Sequence, residues 1–354
     1  MWSDGISQAA QSPGNLFLEQ DWREAYAKHQ PNGVIEIHEL RQGETRLALS
    51  VAPERMRRVP CTVLRVLGDP LADQCWFGTD VPWDCSQAVT ALRQGPAWDV
   101  AVFSELCMDE SDRATLDRAI EATGLRGHWR QCGRAPVVPL SGRDKPLTDA
   151  DYSSTLRRRL KRSRKKLDQA GHVTIVHKLP KADEVPALIE TLKGIEDASW
   201  KGDADTGLFN AQRLGFVHDL SERLARRGQL EIYLLLLDDT PISYRYGFRY
   251  GNRFLDYNLA YLSEYHHLSP GRILLDEIVK TSQALGLEAV DASRGSLERP
   301  HILADWPGYI RDHHRLTLFA PTPKGRLLHF IETRVRPLVL GLKHRIAAGE
   351  DKAK

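Results

Sequence analysis

The chain has no cysteine pair in a CxxC spacing, and its cysteine count is odd. Its five cysteines (Cys61, Cys75, Cys85, Cys107 and Cys132) all fall within the first 132 of 354 residues. That usage excludes a disulfide scaffold and a zinc site as first choices and fits a reducing compartment. The opening MWSDGISQAAQSPGN lacks a basic segment followed by an apolar run, so no signal peptide is expected. No apolar stretch approaches the ~18 residues that a membrane-spanning helix needs. A cytoplasmic location is the expectation. GxSxG, P-loop and GxGxxG stretches are also missing, which sets aside the serine-hydrolase, P-loop NTPase and Rossmann readings. Net charge is scarce: 49 Lys and Arg against 47 Asp and Glu leave +2. Any surface for an anionic partner must therefore be local.

What is present is an ordinary globular composition, 42% hydrophobic and 27% charged, in a chain longer than one core usually supports. Two domains are expected. The clearest periodicity begins at residue 230: LEIYLLLL, a turn at Asp238-Asp239, ISYRYGFRY, a turn at Gly251-Asn252, then RFLDYNLAYL. These predict a three-stranded meander. Helical spacing follows over 272–285, with Ile273, Leu274, Ile278 and Leu285, closed by Gly286; LEAVDA predicts a fourth strand. A similar order occurs about two hundred residues earlier. VIEIHEL, a turn at Gln42-Gly43, TRLALSV and CTVLRVLG lead to a helical segment from Cys85 to Arg93 and a strand at WDVAVF.

Between the halves, GRAPVVPLSGRDKPLTDADYSS reads as a linker or crossover. Next comes a helix with eight Arg or Lys among residues 157–166 and a single stripe of Leu156, Leu160 and Leu167, with Gly171 as its cap. On its own the basic run suits a solvated face, an anionic substrate or an anionic lipid surface. The anionic substrate could be an acidic polysaccharide, a nucleotide-linked precursor or a transfer RNA; few aromatics interleave with the run, so base stacking is not expected and nucleic acid is not the leading partner. HVTIVHKL predicts a strand; 182–199 and 210–227 predict helices. The fold class expected is α/β with a mixed sheet, divided as 1–145, 146–325 and an amphipathic helical tail 326–354.

The element order of the second half, with SWKG at 199–202, HLSPGRILL at 267–275 and DASRG at 291–295, resembles the GNAT acyltransferase fold. More narrowly it resembles the CelD/BcsL type associated with bacterial cellulose and polysaccharide synthesis, related to FemAB-like tandem GNAT proteins. The likeness is specific over about residues 150–310; over 15–135 it rests on the repeated pattern and on the opening LFLEQDWREAY. It implies two tandem GNAT-like domains, the first degenerate. The implied reaction moves an acyl group, most simply acetyl, from acyl-coenzyme A to an amine or hydroxyl of a sugar, polysaccharide or envelope precursor held between the domains.

In such folds the helix after the third meander strand receives the coenzyme A pyrophosphate on its exposed backbone N–H groups, through a glycine-rich loop. The matching positions here are His266, Ser269 and Gly271, with Arg272 and Ile273 in the first turn and the pantetheine arm along Leu259, Ala260, Tyr261 and Leu262. Only one loop glycine remains, and Pro270 removes a donor. Ser269 followed by Pro270 equally suits a helix cap that binds nothing.

Asp291, Glu298 and His301 are the ionisable groups nearest the implied cleft, as candidates for moving the acceptor's proton. Asp291 also suits a structural bond to the turn at Ser293-Arg294. Related sequences often have a Tyr-Lys pair beyond the Asp and an acidic residue at the position of Ser263; SLERPHILADW lacks that lysine. Tyr244, Tyr246 and Tyr250 share one parity and so one strand face, suited to packing or to an acceptor pocket. His266-His267 and His313-His314, read as adjacent strand residues, point to opposite faces and make poor chelates, so no metal is expected. The tail cations Arg334, Arg336, Lys343 and Arg345 flank PLVLGL, which suits docking on the protein itself or peripheral contact with the inner membrane or a polysaccharide synthesis complex. Two other activities remain open: a FemAB-like aminoacyl transferase fed by charged transfer RNA, and a non-catalytic scaffold of an export assembly.

Overall fold

The computed structural model describes residues 15–31, 35–42, 45–74, 85–203 and 206–339. Residues 1–14, where no signal peptide is expected, Gly43 of the first expected turn, and the tail cations Lys343 and Arg345 lie outside the described residues. In chain order the elements are α1 (Gln20–His29), β1 (Glu36–Gln42), β2 (Thr45–Met56), β3 (Val59–Val66), α2 (Cys85–Gln94), β4 (Val100–Leu106), α3 (Glu110–Ala122), β5 (Arg126–Pro139), α4 (Ser154–Ala170), β6 (Val173–Lys178), α5 (Val185–Asp197), α6 (Trp200–Asp203), α7 (Leu214–Arg226), β7 (Leu230–Leu237), β8 (Thr240–Tyr250), β9 (Arg253–Tyr261), α8 (Pro270–Ala284), β10 (Ala289–Asp291), β11 (Tyr309–Phe319) and α9 (Pro323–Phe330). They form two compact units, Met1–Gly33 with Cys132–His313 and Val34–Gln131 with His314–Lys354.

In the first of these units the sheet order is β5-β10-β9-β8-β7-β6. The meander β7-β8-β9 is antiparallel, and β10 joins β9 in parallel after the α8 crossover. Its turns carry positive φ at both central residues, Asp238 (49°) and Asp239 (66°), then Gly251 (53°) and Asn252 (59°). That pattern is the tight hairpin geometry that matches strand twist. Helices α4 and α8 cover one face of the sheet, where Leu156, Leu160 and Leu167 meet Leu274, Ile278, Phe254 and Val290 in one buried cluster. Each such leucine contributes about 1.5–3 kcal/mol through burial, enough to hold a strongly basic helix against the sheet. Helices α5 and α7 with α1 cover the other face: Trp22 is fully buried and meets Phe216 edge-on at 5.4 Å.

The other unit repeats the order. Strands β1, β2 and β3 form an antiparallel meander, α2 follows, and β4 pairs in parallel with β3. Its core joins Cys61, Val63, Val100 and Val102 to Phe319 and Leu328. The fold is thus mixed α/β, with the same meander-helix-parallel strand pattern in both units.

Two expectations are corrected. The start of the segment read as a linker, Gly133 to Pro139, lies within strand β5. Ala135, Val137 and Val138 are buried there, and Val137–Pro139 pair antiparallel with β10. Burial outweighs the turn-forming preference of Pro136 and Pro139. The passage from β9 to α8 is also indirect, because a 3-10 turn occupies Ser263–Leu268. His266 and His267 therefore sit in a turn and not on a strand. Among the described residues no helix is long and apolar enough to cross a membrane.

Candidate functional site

Strand β9 pairs with β10 only over Arg253–Leu255, opposite Ala289–Asp291. Past that rung β10 ends while β9 runs on through Asp256 to Tyr261, so the two strands part. Leu259, Ala260, Tyr261 and Leu262 lie along this diverging stretch. A β-bulge marks its start: Tyr246 faces Asn258 and Gly247 faces Asp256, leaving Tyr257 as the extra residue.

At the far end of the stretch, Ser269 enters α8 in the left-handed conformation (φ 57°, ψ 48°), and its side chain caps nothing. The cap expected of a Ser-Pro helix start is therefore only half present: Pro270 takes the first helical position, but the serine hydroxyl does not satisfy the helix end. Gly271 follows. A methyl group there would meet nothing nearer than 3.9 Å, the Arg245 guanidinium, so protein packing does not itself require glycine. Beside this helix start lies a cleft of about 230 Å³ lined by Arg159, Arg162, Ser163, Lys166, His267, Ser269 and Arg272. Two sequence features more than a hundred residues apart, the basic run and the SPG turn, meet here. Asp305 bridges Arg159 (2.9 Å) and Arg272, and Lys166 donates to the His267 carbonyl at 2.9 Å. Among the described residues Arg162 makes no ion pair. Four cations against one carboxylate, at an uncapped helix N-terminus, make this cleft electropositive, the character an anion site requires.

His266 is exposed and contributes only its carbonyl, which accepts from Ser269 N–H (3.1 Å); its neighbour His267 lines the cleft. Ile273 is buried in the core.

Of the proposed proton-moving residues, Asp291 ends β10, fully buried, and accepts from both Arg311 guanidinium nitrogens (2.7 and 2.9 Å) and from Ser293 N–H (2.8 Å). Burial pushes its carboxyl up, yet Arg311 outweighs burial and holds it below the ordinary carboxylate range. Such a carboxylate is a poor base, and its bond to Ser293 is the structural one. Glu298 is exposed and makes no ion pair among the described residues. His301 is more informative. Leu303 N–H donates to its Nδ1 (3.2 Å), so the neutral ring carries its proton on Nε2, 3.7 Å from Asp256 Oδ2. Burial, with the Arg245 charge adding to it, lowers its pKa to about 3.

Asp256 and Arg245 form a buried ion pair on the α8 face of the sheet, and Arg245 also donates to the Gly271 carbonyl (3.0 and 3.1 Å). Burial lifts the Asp256 carboxyl, with Arg245 opposing, and its Oδ1 is buried without a partner.

The opposite face carries a second network that sequence reading did not assemble. Buried Glu196 accepts from Tyr244 O–H (3.0 Å), Asn258 Nδ2 (3.1 Å) and Phe209 N–H (2.7 Å). Lys201, of the SWKG stretch, donates to Asn258 Oδ1 and lies 3.6 Å from Glu196 Oε1. Burial lowers the Lys201 pKa, with Glu196 pulling it back up. Tyr244, buried against that carboxylate, is pushed well above the usual phenol range. Tyr244, Tyr246 and Tyr250 bond to Glu196, Ser221 and Glu19, so the shared face is a packed one. Trp200 stacks obliquely on Tyr261, ring centres 4.5 Å apart. The signal available in the sequence was SWKG itself.

Among the described residues no group of three His, Cys, Asp or Glu is placed to hold a metal ion.

Residues 154–299 match the family model described as acetyltransferase (GNAT) domain. No curated protein sequence matches the chain. Among solved structures, FemX shares the fold at 11% identity over 88% of this chain and 94% of its own, with a TM-score of 0.58. The C-terminal domain (DUF2156) of a protein named as a candidate lysylphosphatidylglycerol synthetase from Agrobacterium fabrum does so at 13% identity, over 88% and 95%, with a TM-score of 0.54. A conserved protein from Bacteroides thetaiotaomicron does so at 9% identity, over 86% and 92%, with a TM-score of 0.53. At these identities the likeness is one of fold. The pairing of β9 with β10 that stops at Leu255, the uncapped α8 and the likeness to these structures agree with the match of residues 154–299 to the GNAT domain model.

Proposed function

We propose that this domain transfers an acyl group from a coenzyme A thioester to an amine or hydroxyl acceptor. The supporting observation is the cleft at the start of α8, where Arg159, Arg162, Lys166 and Arg272 surround a helix N-terminus left uncapped by Ser269. A pyrophosphate placed there gains both the helix dipole and full cationic charge. The pantetheine arm would run from the cleft along Leu259–Leu262, where β9 has no β10 partner. Its thioester would reach the bulge at Tyr257. The acceptor class, a sugar or envelope precursor, is supported only by the sequence resemblance to the CelD/BcsL group.

Calorimetric titration with coenzyme A and acetyl-coenzyme A tests the donor. Saturable binding is expected, and Gly271→Glu, which sets a carboxylate in the first turn of α8, is expected to abolish it. A folded parent that binds neither ligand refutes the reading.

A second reading is favoured by Arg157, Arg158, Lys161 and Lys165, exposed on α4 and without ion pairs among the described residues. They extend the positive surface past the cleft and suit a polyanionic donor carrier such as a charged transfer RNA. Binding of RNA that weakens steeply with salt, with no binding of coenzyme A, is the outcome that selects it.

A further inference from the structure

The two networks flank one point. Asp256 and Arg245 lie on one face of β9, Asn258 and Lys201 on the other, and the bulge at Tyr257 separates them where β9 parts from β10. On the α8 face the cation is spent: Arg245 donates to Asp256 and to the Gly271 carbonyl. On the other face, Glu196 already accepts from three donors, and Tyr244 holds its proton against that carboxylate. Lys201 differs. An ammonium has three N–H donors; one goes to Asn258 Oδ1 and one is directed at Glu196, 3.6 Å away. No third partner is present among the described residues, and a fifth of the side chain remains exposed.

We infer that Lys201 is the oxyanion donor of the transfer, its free N–H placed to bond the thioester carbonyl oxygen as that oxygen becomes negative. This rests on the donor reading above. The acceptor's nitrogen or oxygen forms a bond to the thioester carbon, and the carbonyl pair moves onto oxygen, where the Lys201 cation stabilises it. Collapse restores the carbonyl and breaks the C–S bond; the departing thiolate takes up the proton the acceptor has lost. Asn258 and Glu196 are positioning residues that hold the ammonium at the bulge. Glu196 in turn is held by close backbone: a methyl group on Gly207 would lie 2.5 Å from its Oε2.

The test uses the full chain with acetyl-coenzyme A, hydroxylamine as surrogate acceptor, and thiol release as readout. Loss of one oxyanion donor lowers kcat by about 10²–10³-fold, so Lys201→Met is expected to do this with KM for acetyl-coenzyme A and calorimetric affinity for coenzyme A held within about threefold. Lys201→Arg is expected to recover most of the lost rate, which a purely structural lysine would not require. Should Lys201→Met fail to fold, Asn258→Asp keeps the lysine and sets a carboxylate against it, and kcat is expected to fall at least tenfold. Lys201→Met with kcat within fivefold of the parent overturns the inference. So does loss of coenzyme A binding in that variant, which would make Lys201 part of the donor cleft. A parent that releases no thiol above the buffer rate overturns it too, whereas coenzyme A binding judges the donor reading separately.

Discussion

Arg162 gives the sharpest test of the anion cleft because its side chain has no ion-pair partner among the described residues. Arg159 and Arg272 share Asp305, so removing either leaves the other paired and the local charge only partly changed. Lys166 is tied to the His267 carbonyl. Arg162 lines the cleft and makes no ion pair among the described residues. Its replacement should therefore change stability by no more than about 0.5 kcal/mol, the usual range for surface positions. A phosphate about 5 Å from the guanidinium interacts by about 0.8 kcal/mol at the dielectric constant of water and about 3 kcal/mol at an effective value near 20. A solvent-open cleft lies between, so Arg162→Ala is expected to weaken coenzyme A binding by about 1–2 kcal/mol, or roughly 5–30-fold. Arg162→Glu replaces attraction with repulsion and should roughly double that free energy, to about 2–4 kcal/mol or roughly 30–900-fold. Because the Debye length shrinks to about 3 Å at 1 M salt, the gap between parent and Arg162→Glu should narrow as salt rises. Calorimetric titration at low and high salt measures both effects, with thermal melting as the control for folding. An Arg162→Glu protein that melts like the parent and binds coenzyme A within twofold of it would falsify the cleft as the phosphate site.

Two further outcomes are expected of the network residues. His301 takes up a proton near pH 6.5 in the unfolded chain but only near pH 3 when folded, so its contribution is complete above pH 6.5 and is lost as pH falls from 6.5 towards 3. At about 1.4 kcal/mol per pH unit this reaches several kcal/mol, and His301→Asn should flatten the fall in urea-unfolding stability between pH 6.5 and 4; an unchanged slope would count against the buried neutral ring. Gly207→Ala should cost about 1–3 kcal/mol by displacing the Glu196 carboxylate from Phe209 N–H. Gly271→Ala, with nothing nearer than 3.9 Å, should melt within a few degrees of the parent, and equal melting shifts in the two variants would refute the distinction.

Much of the fold was written locally. The meander from Leu230 to Tyr261 announces itself because each hairpin turn uses residues tolerant of positive φ, Asp238-Asp239 and Gly251-Asn252. Gly286, at φ 73°, closes α8 where the helical spacing stops. The leucine stripe of α4 is buried as its spacing required. Strand β5 was hidden because Pro136 and Pro139 are turn residues by local preference, and its place beside β10 is decided by a partner some 150 residues away. Nothing local marked α3 or β11 as elements.

The site was legible in pieces whose meeting was not. The SPG turn and the basic run were each visible, but only packing of α4 against α8 turns a solvated face into the wall of a cleft. Strand parity would place Asp256 and Asn258 on the same side of β9, two residues apart. The bulge at Tyr257 sends them to opposite faces, Asp256 to Arg245 and Asn258 to Lys201. A single extra residue thus brings polar groups from both faces to the point where β9 and β10 part. No period of two could have revealed that, because the bulge itself breaks the period. The same distortion that misleads the sequence reading is what turns Asn258 towards Lys201 and so fixes a cation at the bulge.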